Sequence, residues 1–106
     1  GRVKIIGGLS RFYCNIVAGS ATIDIGNQAY TDTSGTAVAA DPDGMVDGLD
    51  VDTAGYFTME GNTAAQKLLG GNHKFDSNDG VIIEITSVAA LANDDDVAGV
   101  ITYIVS

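Results

Sequence analysis

Five aspartates fall within twelve residues in the stretch DPDGMVDGLDVD, from Asp41 to Asp52, with glycines at 44 and 48. Carboxylates at alternating positions of a loop can converge on one calcium ion, which takes roughly six to eight oxygen ligands. Asp41, Asp43, Asp47 and Asp50 are the candidate ligands. The spacing is not that of an EF-hand loop, where a third ligand precedes the glycine and a bidentate Glu stands at the twelfth position. Here Gly44 arrives two residues early and position 52 is Asp. A calcium site on these residues is therefore irregular in form. The other reading is a turn-rich acidic connection, its Asp side chains making Asx-turns. Met45, Val46, Leu49 and Val51 lie between the charges, so this connection is expected to be ordered and packed on the rim of the domain.

The other reactive residue types are few. His73 is the single histidine and Cys14 the single cysteine. A zinc site needs about four N or S ligands, and these two fall short. A nucleophile needs a neighbouring base, and no nucleophile-elbow pattern surrounds Ser10, Ser20 or Cys14. Glu60 and Glu84 lie on separate segments, which is thin support for a carboxylate pair. The glycine pairs at 7–8 and 70–71 do not match a phosphate-cradling loop. An enzyme is not expected. Cys14 alternates with Phe12 and Ile16 and reads as a buried structural thiol; with no second cysteine, no intrachain disulfide is possible. Tyr13, Tyr30, Tyr56 and Tyr103 suit half-buried strand positions, and could also stack on a sugar or anchor a protein contact.

Charge narrows the partners. The formal charge is −9, and Asp supplies 12 of the 14 acids. With five basic residues, the chain cannot line a phosphate backbone with clustered cations, so nucleic acid is excluded as a partner. No polybasic or amphipathic segment points to a membrane surface, and no apolar run approaches the length of a span. The opening GRVKIIGGL lacks the apolar core and cleavage site of a signal peptide, and Gly1 fits a chain that has lost only an initiator Met. The bases are segregated. Arg2, Lys4 and Arg11 are N-terminal, Lys67 and Lys74 flank a Gly-rich segment, and none lies between Phe12 and Gln66 or after Lys74. Arg2, Lys4 and Arg11 are the candidate partner-binding residues, matched to an acidic surface on a neighbour.

These residues must be positioned by strands. Ile and Val dominate the apolar set, glycine and threonine are plentiful, and at 106 residues the chain makes one domain, 1–106. The pattern predicts strands over 3–9, 12–17, 21–25, 28–31, 55–59, 81–90 and 97–105. Gly26-Asn27 reads as a two-residue hairpin turn between the third and fourth of these. Residues 32–35, 75–80 and 93–96 read as loops. One short helix is expected near residues 63–69, capped by Asn62 and stopped by Gly70-Gly71. The fold class is mostly β, an antiparallel β-sandwich or barrel. The last strand carries apolar residues on both faces, so one face needs a second sheet, the helix or a neighbouring subunit to cover it.

The Gly/Ala/Thr/Asp-rich loops, VIIEITSVAA at 81–90 and the closing AGVITYIVS together resemble small β-rich virion proteins of tailed phages, of the capsid decoration or cement type. That resemblance implies a virion location, a non-enzymatic structural role, binding to a protein lattice, and self-association as a trimer. It assigns no residue a role and implies no cofactor. The alternative is a carbohydrate- or calcium-binding β module, resting on the Asp-rich loops and the tyrosines.

Overall fold

Branched residues make this chain a set of short antiparallel strands. The computed structural model describes residues 2–15, 22–50, 55–59, 73–87 and 96–105. In order they form β1 (Arg2–Ile5), a 3-10 turn (Gly7–Leu9), β2 (Arg11–Asn15), β3 (Thr22–Asn27), β4 (Tyr30–Thr31) and β5 (Ala37–Val38). Then come β6 (Asp41–Asp50), β7 (Gly55–Thr58), β8 (His73–Asp76), β9 (Ile83–Ser87), β10 (Asp96–Val100) and β11 (Tyr103–Val105). Every pairing among the described residues is antiparallel. The mostly-β antiparallel, sandwich-like class expected from the sequence is what forms. The helix expected near 63–69 lies outside the described residues.

Among the described residues, three sheets of three strands carry the fold, in the orders β11-β1-β8, β10-β2-β7 and β6-β3-β9, with β4-β5 as a small hairpin. Their inner faces share one core: Ile5, Phe12, Ile23, Ile25, Met45, Val46, Met59 and Phe75. Full burial of each such side chain stabilises by about 1.5–3 kcal/mol.

The first two sheets are one long ladder with an interruption. Ile5 stands opposite Tyr103, and Arg11 opposite Val100. Between these pairs one strand has residues 6–10 and the other only 101 and 102. The surplus is taken up by the 3-10 turn. The single strand expected over 3–9 therefore ends at Ile5, because Gly7-Gly8 allows the tight turn and Ser10 closes it. Likewise the strand expected over 97–105 is split into β10 and β11 by the step opposite that turn.

Two further expectations are corrected in the third sheet. No hairpin turn forms at Gly26-Asn27. β3 runs through both residues, pairing Gly26 with Glu84 and Asn27 with Ile83, and Gln28 N–H continues the ladder to the Ile82 carbonyl at 3.0 Å. Gly26 is needed for close approach rather than for an unusual φ: a Cβ there would overlap the backbone carbonyls of Asp41 and Pro42. The hairpin forms instead between β4 and β5. There the Asp32 carboxylate accepts from Ser34 N–H at 2.9 Å, Ser34 Oγ at 2.6 Å and Thr36 N–H at 2.8 Å.

The Asp-rich stretch is a strand, β6, and not a connection. Met45 and Val46 are 1% and 2% exposed, while Asp41, Asp43 and Asp47 face solvent. Burying two large side chains outweighs the strand disfavour of aspartate, since the whole β-propensity scale spans only about 1 kcal/mol. The surplus residues leave as bulges. Ile23 pairs with Leu49 but Ile25 with Val46, so Asp24 faces both Asp47 and Gly48. Gly48 takes φ +64°, open to glycine, and its N–H donates to Asp24 Oδ1 at 2.7 Å.

Smaller adjustments follow the same logic. Phe75 and Asp76, expected in a loop, end β8, and the turn proper starts at Ser77, whose hydroxyl donates to the Gly80 carbonyl at 3.1 Å. β9 begins at Ile83. Cys14 pairs with Val97 and Gly55 in the ladder; the expectation of its burial lies outside the described side chains.

Candidate protein interface

Alternation along β1 sends Val3 and Ile5 towards the core and Arg2 and Lys4 to the opposite face. Register then decides what joins them. Arg2 stands opposite Asp76, and Lys4 opposite both Lys74 and Ile104. The outer face of the β11-β1-β8 sheet thus gathers Arg2, Lys4 and Lys74 around Ile104, which is 55% exposed. These side chains border a recess of about 380 Å³. Arg2 Nε lies 3.7 Å from Asp76 Oδ2, and Asp76 Oδ2 also accepts from Thr33 Oγ1 at 2.9 Å. The ion pair is solvated, so it is worth at most about 1 kcal/mol. Lys4 and Lys74 make no ion pair among the described residues.

Of the three partner-binding candidates, the structure brings Arg2 and Lys4 together and places Arg11 elsewhere. Arg11 begins β2, with Tyr13, Tyr56 and Val100 around a second recess of about 330 Å³. Tyr13 and Tyr56 are cross-strand partners with ring centroids 5.1 Å apart. Tyr56 is 81% exposed. Lys74 joins this face, opposite Lys4, and sequence reasoning missed it. Nothing in the sequence spacing ties it to Lys4, because only long-range register sets them side by side.

The apolar edge adjoins this surface. β11 is an outer strand of its sheet, and Tyr103, Ile104 and Val105 are 59%, 55% and 66% exposed. Val100 on β10 is 66% exposed. Among the described residues, none covers these positions of the two-faced last strand. No family model, curated protein or solved structure matches this chain.

The acidic candidates lie on the third sheet. Asp41 and Asp43 share a hydrogen bond. Although the residue is largely exposed, partial desolvation of its carboxyl first, then that bond and the repulsion of Asp43, raise Asp41 above its ordinary value, with His73 opposing. His73 is pushed below its ordinary value by burial, against the pull of Asp41. Its Nε2 is buried with no hydrogen-bond partner among the described residues, and its ring stacks on Phe75 at 6.5 Å, a setting for neutral imidazole. Asp47 sits at the Gly48 bulge, and Asp50 pairs with Thr22. Among the described residues, no three His, Cys, Asp or Glu side chains are grouped to hold one metal ion. Glu84 accepts from Gln28 Nε2 at 3.4 Å, and Glu60 lies outside the described residues.

A third recess, of about 410 Å³, is apolar and lies between Val3, Ile5, Phe75, Val81, Ile83 and Tyr103. It is continuous with the exposed β11 edge through Tyr103.

Proposed function

We propose that this protein is a non-enzymatic structural subunit of a larger protein assembly, of the capsid decoration kind that its sequence texture resembles. The observation that carries this reading is β11. An outer strand with three consecutive exposed apolar side chains, and no charge or proline among them, is a surface that monomeric proteins ordinarily protect. Such an edge gains main-chain hydrogen bonds and apolar burial when a partner strand adds to it. The neighbouring Arg2, Lys4 and Lys74 supply a charged rim that selects an acidic partner and sets its orientation. A tyrosine pair on the adjacent sheet adds an aromatic contact of the type enriched at interfaces.

The test is fractionation of the native source, with the chain followed by mass spectrometry. Recovery in the high-mass particle fraction is expected, together with a homo-oligomer of the isolated chain in light scattering. Recovery only as free chain would overturn the assignment.

A further inference from the structure

We propose that the outer face of the β10-β2-β7 sheet binds an acidic saccharide, with Tyr13 and Tyr56 beneath the sugar rings and Arg11 on a uronate carboxylate. This goes beyond the assembly reading, whose carrying observation is β11 on another sheet.

Register builds the face. Tyr13 stands between Ala98 and Tyr56, and Arg11 between Val100 and Thr58, in successive rows on the same side of the sheet. All six residues are exposed, while Phe12 between the rows is buried. The two tyrosine rings are tilted by 54° to each other, so together they form a broad aromatic surface. Two recesses adjoin it. One, of about 330 Å³, lies over Tyr13, Ala98 and Val100, and the other, of about 440 Å³, over Gly8 and Thr58; Arg11 and Tyr56 border both. Each falls in the size range of small-ligand sites, about 300–1,000 Å³.

The polar groups of this face are unspent. Among the described residues, the Arg11 guanidinium pairs with no carboxylate, and no hydrogen bond engages the hydroxyls of Tyr13, Tyr56 or Thr58. None of the six is an acid. The next acid in the register, Asp96, stands four residues from Val100 along β10, about 14 Å by strand rise. At physiological salt a charge is screened beyond about 8 Å, so Arg11 sets the local sign despite the net charge of −9.

These groups fit a sugar better than a peptide. β2 is paired on both sides, so its main chain has no free groups to align an added strand. What the face offers is an open aromatic surface, hydroxyls and one guanidinium. The electron-rich face of a tyrosine ring attracts the weakly positive C–H face of a pyranose. Hydroxyls exchange hydrogen bonds with those of a sugar, and a guanidinium binds a carboxylate through two parallel N–H donors. Two adjoining recesses suit two consecutive sugar units.

The experiment is titration calorimetry of the full chain with trigalacturonic acid, its methyl ester and triglutamate. Trigalacturonic acid is expected to bind. Tyr56→Ala and Arg11→Gln are each expected to weaken it roughly tenfold or more, with folding unchanged by circular dichroism because both side chains are exposed. Tyr56→Phe keeps the ring and is expected to keep most of the affinity. The methyl ester is expected to bind the unsubstituted chain as weakly as the acid binds Arg11→Gln. No binding of trigalacturonic acid at millimolar concentration overturns the proposal, as does binding that the folded Tyr56→Ala and Arg11→Gln variants leave unaltered. Equal binding of the ester overturns the acidic assignment, and tighter binding of triglutamate overturns the saccharide in favour of an acidic peptide. Fractionation of the native source tests assembly separately, so either reading can fail without the other.

Discussion

The Ser10 hydroxyl joins the two ends of the chain by bonding across to Thr102. Ser10 Oγ donates to the Ile6 carbonyl at 2.9 Å and accepts from Thr102 N–H at 3.0 Å. Thr102 Oγ1 in turn donates to the Leu9 carbonyl at 2.9 Å, and Ile6 N–H donates to the Thr102 carbonyl at 2.9 Å. Met59 N–H reaches the carbonyls of Gly7 and Ser10 from the other side. Ser10 is completely buried, and these bonds satisfy backbone groups that the 3-10 turn takes out of the ladder.

Removing that hydroxyl leaves the Thr102 amide without its acceptor. Ser10→Ala is expected to cost about 1–3 kcal/mol, a fall of roughly 10 °C in melting temperature for a domain of this size. Thr102→Val keeps the shape and loses an exposed bond, so its cost is about 0.5–1 kcal/mol. Urea unfolding of the two variants checks the ranking; equal costs would mean the buried hydroxyl is not the closing element.

Gly26 and Gly48 are expected to respond to alanine by different mechanisms. At Gly26 the new methyl overlaps the Asp41 and Pro42 backbone, which no side-chain movement relieves, so the β3–β6 pairing must shift. At Gly48 there is open space and only the left-handed φ is disfavoured, costing about 1–2 kcal/mol. Thermal unfolding should show Gly26→Ala as the more severe change. A mild Gly26→Ala would contradict the close approach of the two strands.

His73 and Asp41 give opposite pH dependences. The folded His73 binds its proton less readily than the unfolded chain, whose histidine titrates near 6.5. Its contribution is complete above that value and is lost as pH falls towards the lower folded pKa. The folded Asp41 holds its proton above the ordinary 3.8, so its contribution is complete below that value and is lost as pH rises through the higher folded pKa. His73→Gln should flatten the loss of stability below pH 6.5, and Asp41→Asn should remove the loss as pH rises from 3.8. Urea melts across pH 3 to 8 measure both.

Ile104 is exposed in the isolated chain, so Ile104→Thr should change monomer stability by no more than about 0.5 kcal/mol. If β11 is an assembly edge, the same change weakens self-association markedly. Paired urea and light-scattering measurements separate the effects; stability loss with unaltered association would place Ile104 in the chain's own core.

Millimolar calcium is expected to leave the melting temperature unchanged. An ion bound in the folded state alone raises stability by about 2.7 kcal/mol at a hundredfold excess over its Kd. A rise of several degrees would return Asp41, Asp43, Asp47 and Asp50 to the role of ligands.

The sequence by itself determined the class of fold and much of its texture. Branched residues at alternating positions specify strands wherever a face is to be buried, and the strands at Arg11–Asn15, Gly55–Thr58 and Ile83–Ser87 fall where that alternation is clearest. It also determined the charge imbalance and the segregation of Arg2, Lys4 and Arg11. Tertiary structure decided the rest. Asp41–Asp50 became a strand because Met45 and Val46 found a core, and core burial outweighs local preference. Gly26 served close packing rather than a turn because the chain at Asp41 and Pro42 crosses it. Lys74 joined Lys4, and Arg11 left it, through pairings between residues far apart in the chain. Local sequence encodes backbone preference and alternation, whereas register between distant strands depends on the whole set of side chains that must be buried together.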